Sequence, residues 1–198
     1  MLSSKTATTR EKLLAAGLTL FSSKGFLATT TRELAQEAGV AEITLFRYFP
    51  SKEKLLEEVV TSYSMIPALK ALQPELNEKP CAVALTYMAD FLLDSMIKQK
   101  EWIILMQSEV RRNPEKLLSV YHAFLDRVYS LIADYFRSQQ KVGVMREFDA
   151  DLAARAFYGM IFSFFNTEEI LQRKQYRDTP RTMAITTFVG LFAQGASA

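Results

Sequence analysis

Apolar residues three and four apart recur through almost the whole of this chain, and no stretch shows the apolar and polar alternation of a half-buried strand. β-Branched residues are scattered, and no two-residue glycine turn joins alternating segments, so an all-α fold is expected. The 198 residues, 49% apolar and 23% charged, supply enough material for a real core. A single cysteine, Cys81, excludes a disulfide framework and fits a reducing cytoplasm. The first thirty residues lack the charged start, apolar centre and small-residue cleavage site of a secretory signal. The longest uncharged apolar run, Ala156 to Phe165, falls short of the about 20 residues that span a bilayer, so no membrane partner is expected.

Helix start and stop residues divide the chain. A first helix is predicted over 9–24, with Thr8 and Glu11 spaced as a capping box and Leu14, Ala15, Leu18 and Phe21 on one stripe, ending at Gly25. A short second helix starts at Thr30, with Glu33 three residues on, and stops at Gly39 after Leu34, Ala35 and Ala38. The third runs from Glu42 to Phe49, where Pro50 forbids continuation, and Ser51 caps a fourth carrying Leu55, Leu56, Val59 and Tyr63. Pro67, Pro74 and Pro80 predict a looser connection, followed by helices near 81–98, 101–111, 114–140 (closed by Gly143), 149–172 and 179–194.

Chemistry is constrained by what is missing. One histidine, His122, cannot form a two-histidine metal site, Cys81 has no partner at zinc spacing, and there is neither a glycine-rich phosphate loop nor a nucleophile elbow. The acidic pairs Asp149 with Asp151 and Glu168 with Glu169 read as helix-end or solvated groups. No catalytic residue, metal or cofactor is therefore expected. Charge is uneven: residues 1–54 hold eight Lys and Arg against five Asp and Glu, whereas 55–198 hold sixteen against seventeen, so a polyanion would meet the front of the chain.

Two short helices joined by a tight glycine turn form a helix-turn-helix, whose second helix is narrow enough for the major groove. The segment TTREKLLAAGLTLFSSKGFLATTTRELAQEAGVAEITLFRYFPSKEKL resembles the N-terminal DNA-binding domain of TetR-type transcriptional regulators. The anchors are Ala-Ala and Leu-Phe in the first helix, Gly-Phe, Thr-Thr, Leu-Ala, Ala-Gly-Val, and the block Thr-Leu-aromatic-x-Tyr-Phe-x-Ser-Lys. The resemblance implies a DNA-binding domain at 1–54 with a three-helix helix-turn-helix, followed by a larger helical ligand-binding and dimerisation domain at 55–198. It places Glu42, Ile43, Phe46 and Arg47 against base edges, Thr31, Thr44, Tyr48 and Lys52 on the phosphate backbone, and Arg32 within reach of either. Elementary chemistry runs parallel: hydroxyls and lysine donate to phosphate, arginine forks onto guanine, isoleucine or phenylalanine meets a thymine methyl, and glutamate accepts from cytosine. Leu45 and Phe49, four apart on the opposite face, are expected in the core.

Four positions depart from the family pattern. Ala41 stands where a capping serine is common, Glu42 adds a negative charge, Ile43 replaces a small residue and Phe46 a tyrosine. These bear on base preference more than on DNA binding. In the larger part, the resemblance implies a homodimer formed through the last two long helices, with Tyr158, Phe162, Phe165, Phe188, Leu191 and Phe192 at the interface. Tyr87, Met88, Phe91, Trp102, Met106, Tyr121 and Phe124 suit either plain core or a cavity for a hydrophobic effector, oriented by Glu109 or Asn166. The expected protein is a ligand-responsive repressor of a double-stranded operator. The alternatives are a helical dimeric interaction protein and a small-molecule carrier.

Overall fold

The computed structural model describes residues 7–196, and among these there is no strand. Ten α-helices follow one another: α1 (Thr9–Lys24), α2 (Thr31–Glu37), α3 (Glu42–Tyr48), α4 (Lys52–Tyr63), α5 (Ile66–Glu78), α6 (Cys81–Lys98), α7 (Lys100–Arg112), α8 (Pro114–Lys141), α9 (Ala150–Phe165) and α10 (Arg181–Ala196). The chain forms two compact units. The first comprises the chain to Ser64 together with Ile104–Phe124, and the second comprises Met65–Ile103 and Leu125–Ala198.

In the first unit local chemistry sets each helix boundary. The Thr8 hydroxyl accepts from the Glu11 amide and the Glu11 carboxylate accepts from the Thr8 amide, at 3.2 and 2.7 Å. Thr30 and Glu33 repeat this reciprocal cap on α2. Gly39, at φ 68°, ends α2, with the Val40 amide donating back to the Ala35 carbonyl at 2.9 Å. Ala41 provides no side-chain cap to α3, whereas Ser51 caps α4 by accepting from the Lys54 amide. The core joins Leu13, Leu20 and Phe21 of α1 to Leu34, Leu45, Phe49, Leu55, Leu56 and Val59.

The stripe on α1 differs from expectation. Ala15 is exposed and Leu18 half-buried, while Leu13, Ala16, Gly17 and Leu20 are buried beside Leu14 and Phe21. The reason is that α1 packs on both α2 and α4, which shifts and widens its buried face. At Gly17 the Val59 side chain packs so close to the helix that an added Cβ would lie 2.8 Å from Val59 Cγ2.

The second unit is built on α6, whose Leu85, Met88, Leu92, Leu93 and Met96 are fully buried and which packs on α5, α9 and α10. The looser connection expected across Pro67, Pro74 and Pro80 is instead the helix α5. Pro67 lies in its first turn, where the missing N–H costs nothing, and Pro74 lies on its exposed side, where water can serve the carbonyl that Pro74 leaves without a donor. Buried Leu69 and Leu76 hold the helix down. An aromatic cluster centred on Phe136, with Phe148, Phe157 and Phe192 at centroid distances of 5.2 to 6.1 Å, joins α8, α9 and α10. Arg181 ties α10 to α6 by donating to the Asp90 carboxylate and carbonyl and to the Asp94 carboxylate. The single helix expected over 149–172 is regular only to Phe165; it widens into a π turn at Asn166–Ile170 and breaks at Gln172, where φ is 54°.

Candidate nucleic-acid interface

The seven residues of α3 divide cleanly by burial. Leu45 is fully buried, with Phe49 at the helix end 3% exposed, whereas Ile43 is 78% and Phe46 42% exposed. A helix this short cannot stand alone in water, so the Leu45 and Phe49 anchors are what hold the outward face in place. Glu42, Arg47 and Tyr48 are also exposed and Thr44 is half-buried. The Arg47 guanidinium lies over the Tyr48 ring at 5.5 Å. Among the described residues neither Arg32 nor Arg47 is in an ion pair, which keeps both guanidinium groups available to an anion.

Two expected phosphate ligands are already engaged. The Thr31 hydroxyl donates to Glu42 Oε1, linking the starts of α2 and α3, so it must turn to donate to a phosphate. The Lys52 ammonium donates to the Phe26 and Thr29 carbonyls at 2.9 and 2.7 Å and lies 4.3 Å from the centre of the Phe26 ring. Two of its three donors are thereby used, leaving one for phosphate. Burial, ahead of every charge effect, pushes the Lys52 pKa down.

The expected effector residues are dispersed. On α6, Met88 is buried, Phe91 half-buried and Tyr87 exposed. Trp102, Tyr121, Phe124 and Asn166 are half-buried and Met106 is buried. Glu109, expected to orient a ligand, instead turns one carboxylate oxygen to the Phe26 and Leu27 amides at 3.2 and 3.4 Å, a link across 83 residues that no local sequence signal announces. In the second unit, Tyr87 lines an open surface groove with Val83, Thr86 and Asp90, of about 380 Å³. Another, of about 360 Å³, lies along the facing ends of α9 and α10, and buried Glu168 lines it.

The expected interface residues also separate. Tyr158 and Phe165 are interior, since Tyr158 packs edge-on to Tyr129 and Phe165 is fully buried, and Phe192 stacks on Phe136. The outward side of α9 and α10 carries Leu152, Ala156, Gly159, Met183 and Leu191. The acidic groups singled out in the sequence serve structure: Asp149 caps α9 by accepting from the Asp151 and Leu152 amides, Asp151 pairs with Arg137, and Glu169 pairs with Lys174. Among the described residues no group of three His, Cys, Asp or Glu could hold a metal ion, and no helix is long and apolar enough to cross a membrane.

Comparison with known proteins adds to this geometry. Residues 13–59 match the family described as bacterial regulatory proteins, tetR family, and residues 83–194 match the AefR-like transcriptional repressor C-terminal domain. The chain is 25% identical over 190 residues to YvkB, an uncharacterized HTH-type transcriptional regulator of Bacillus subtilis, covering 96% of this chain and 98% of that one. A crystal structure of a TetR-family regulator from Mesorhizobium loti superposes with a TM-score of 0.73 at 20% identity, over 96% of this chain and 97% of the other. The regulator FadR of Bacillus subtilis, solved with stearoyl-CoA, superposes with a TM-score of 0.66 at 19% identity, over 93% and 97%. Together with a helix-turn-helix whose second helix turns Ile43, Phe46 and Arg47 outward, these matches settle the family: the chain is a DNA-binding transcriptional regulator of the TetR family.

Proposed function

We propose that this regulator is a ligand-responsive repressor that binds a palindromic operator as a homodimer and is released by a hydrophobic small molecule. The observation that carries the reading is the division of α3 into a buried anchor and an exposed face of Ile43, Phe46 and Arg47. In this reading residues 1–54 carry the DNA contacts and 55–198 the ligand and dimer contacts. Arg47 forks onto guanine, Ile43 and Phe46 meet thymine methyls, Glu42 accepts from a cytosine amino group, Thr31, Thr44, Tyr48 and Lys52 hold the backbone, and Arg32 reaches either bases or backbone. One short helix reads few base pairs, so a two-fold pair reading half-sites about 34 Å apart supplies the missing specificity.

The dimer reading is supported by α10, which carries no charged residue from Thr182 to Ala196 although Met183 and Leu191 are more than 60% exposed. The effector reading is supported by the apolar character of Met88, Phe91 and Trp102, and FadR, of similar fold, was solved with stearoyl-CoA. The ligand acts only through a difference in affinity between a DNA-competent and an incompetent conformer. The test is selection of DNA from random duplexes by the purified protein, followed by titration of the selected duplex with acyl and aromatic compounds. A paired half-site, steep salt dependence and release by such a compound are expected. Binding indifferent to salt would sink the DNA-face assignment and favour a protein partner for α3. Arg47→Ala is expected to relax preference at particular bases, and Tyr48→Phe to weaken all duplexes alike.

A further inference from the structure

The turn between α1 and α2, residues 25–29, is gripped from two sides by opposite charges. Its N–H side faces Glu109, which accepts from Phe26 and Leu27. Its carbonyl side faces Lys52, which donates to Phe26 O and Thr29 O. Buried Thr29 completes the set by donating to the Gly25 carbonyl at 2.8 Å. Gly25 suits this place on two counts. Its φ of 81° is disfavoured for any side chain, and a Cβ there would sit 3.3 Å from Glu109 Oε1. Successive amides turned toward one carboxylate form an anion-binding concavity, and charge-assisted bonds of this kind are stronger than neutral ones.

The turn leads directly into Thr30, the cap of α2, and into Thr31 and Arg32. Glu109, however, is 50 residues beyond the last residue that matches the tetR-family DNA-binding segment, and it lies inside the stretch that matches the C-terminal domain. We infer that Glu109 is a positioning residue of the DNA-reading head, holding the α1–α2 turn so that Thr31, Arg32 and the face of α3 meet DNA in one register. The head is therefore completed by a residue of α7, and Ile104–Phe124 belongs with it, as the compact unit already indicates. The inference rests on α3 being the reading helix.

The experiment uses the full chain, wild type and the variants Glu109→Ala and Glu109→Gln, with the duplex selected by the wild type and an unrelated duplex as probes. Hydrogen exchange at the Phe26 and Leu27 amides and circular dichroism are followed in parallel. Glu109→Ala removes the acceptor of one buried and one part-buried amide, so affinity for the selected duplex is expected to fall by about tenfold, with faster exchange at both amides. The salt slope is expected to stay at the wild-type value, because no phosphate contact is lost. Glu109→Gln keeps an accepting oxygen and is expected to recover most of the affinity. Affinity of Glu109→Ala within twofold of wild type, or a changed salt slope, overturns the proposal. Should the alanine variant unfold, Glu109→Gln decides: faster exchange without loss of affinity refutes it. A wild type that binds no duplex refutes the reading-helix assignment instead, while exchange at Phe26 and Leu27 still reports whether the clamp exists.

Discussion

Two faces of this molecule expose apolar side chains, and their surroundings differ. On α3, Ile43 and Phe46 share a short exposed helix with charged groups, Arg47 and Glu42. On α10, Met183 and Leu191 stand on a helix without charge after Arg181. Apolar exposure alone marks neither function. A polyanion requires nearby cations to offset its loss of hydration, whereas a second apolar surface requires their absence, because a charge buried there has no partner. The scaffolds differ as well. The α1–α4 region is held by caps, a two-sided clamp and one tight glycine, while the second unit rests on an aromatic cluster and the Arg181 tie.

The hardest way to break this contrast is to remove the support behind α10. Phe136→Ala deletes the ring that touches Phe148, Phe157 and Phe192, and a stability loss of about 3–5 kcal/mol in urea unfolding is expected. Placing a carboxylate on each face sharpens the comparison directly. Leu191→Glu is expected to weaken self-association by about 3 kcal/mol, or roughly 100-fold, in sedimentation, whereas Ile43→Glu leaves the mass unchanged and abolishes duplex binding. Within the reading head, Gly17→Ala sets a propensity gain of about 1 kcal/mol against a clash with the stiff Val59 side chain. The clash should win, giving a net loss of about 1–2 kcal/mol in thermal unfolding.

The smallest effects concern the α2 cap. Thr30→Ala removes an accepting hydroxyl from the Glu33 amide and is expected to cost about 1 kcal/mol. Glu33 itself adds a pH signature. The bond from Lys24, followed by those from Thr30, holds its carboxyl down from an ordinary 4.5 to about 2. A depressed carboxyl contributes stability that is fully present above its unfolded value and is lost as pH falls toward the folded one. The Tm should therefore fall between about pH 4.5 and pH 2, and Glu33→Gln should flatten that part of the profile.

Much of the reading head was legible because its signals are local. Thr8 with Glu11, Thr30 with Glu33, Gly39, Pro50 and Ser51 each act within a few residues, and they bound helices at the places the spacing predicts. Leu45 and Phe49 were legible as anchors for the same reason: four residues apart on one helix means one face. What escaped was set by distant neighbours. Ala15 turns outward because two helices pack on α1 and choose the face, and Pro74 stays in a helix because its carbonyl partner position meets water. Tyr158 and Phe165 read as interface candidates through the family resemblance, yet aromatic residues on a broad apolar helix distribute between core and surface by packing alone.

The sequence by itself determined the all-helical class, the helix-turn-helix and the division of α3, since capping, chain breaking and helical periodicity need only neighbours in the chain. Only the tertiary structure decided that Glu109 and Lys52 converge on the turn after α1, that Arg181 binds Asp90 and Asp94, and which side of α9 and α10 stays outside. Those arrangements join residues tens of positions apart, and the bonds that make them exist only once packing has brought their partners within about 3 Å of each other.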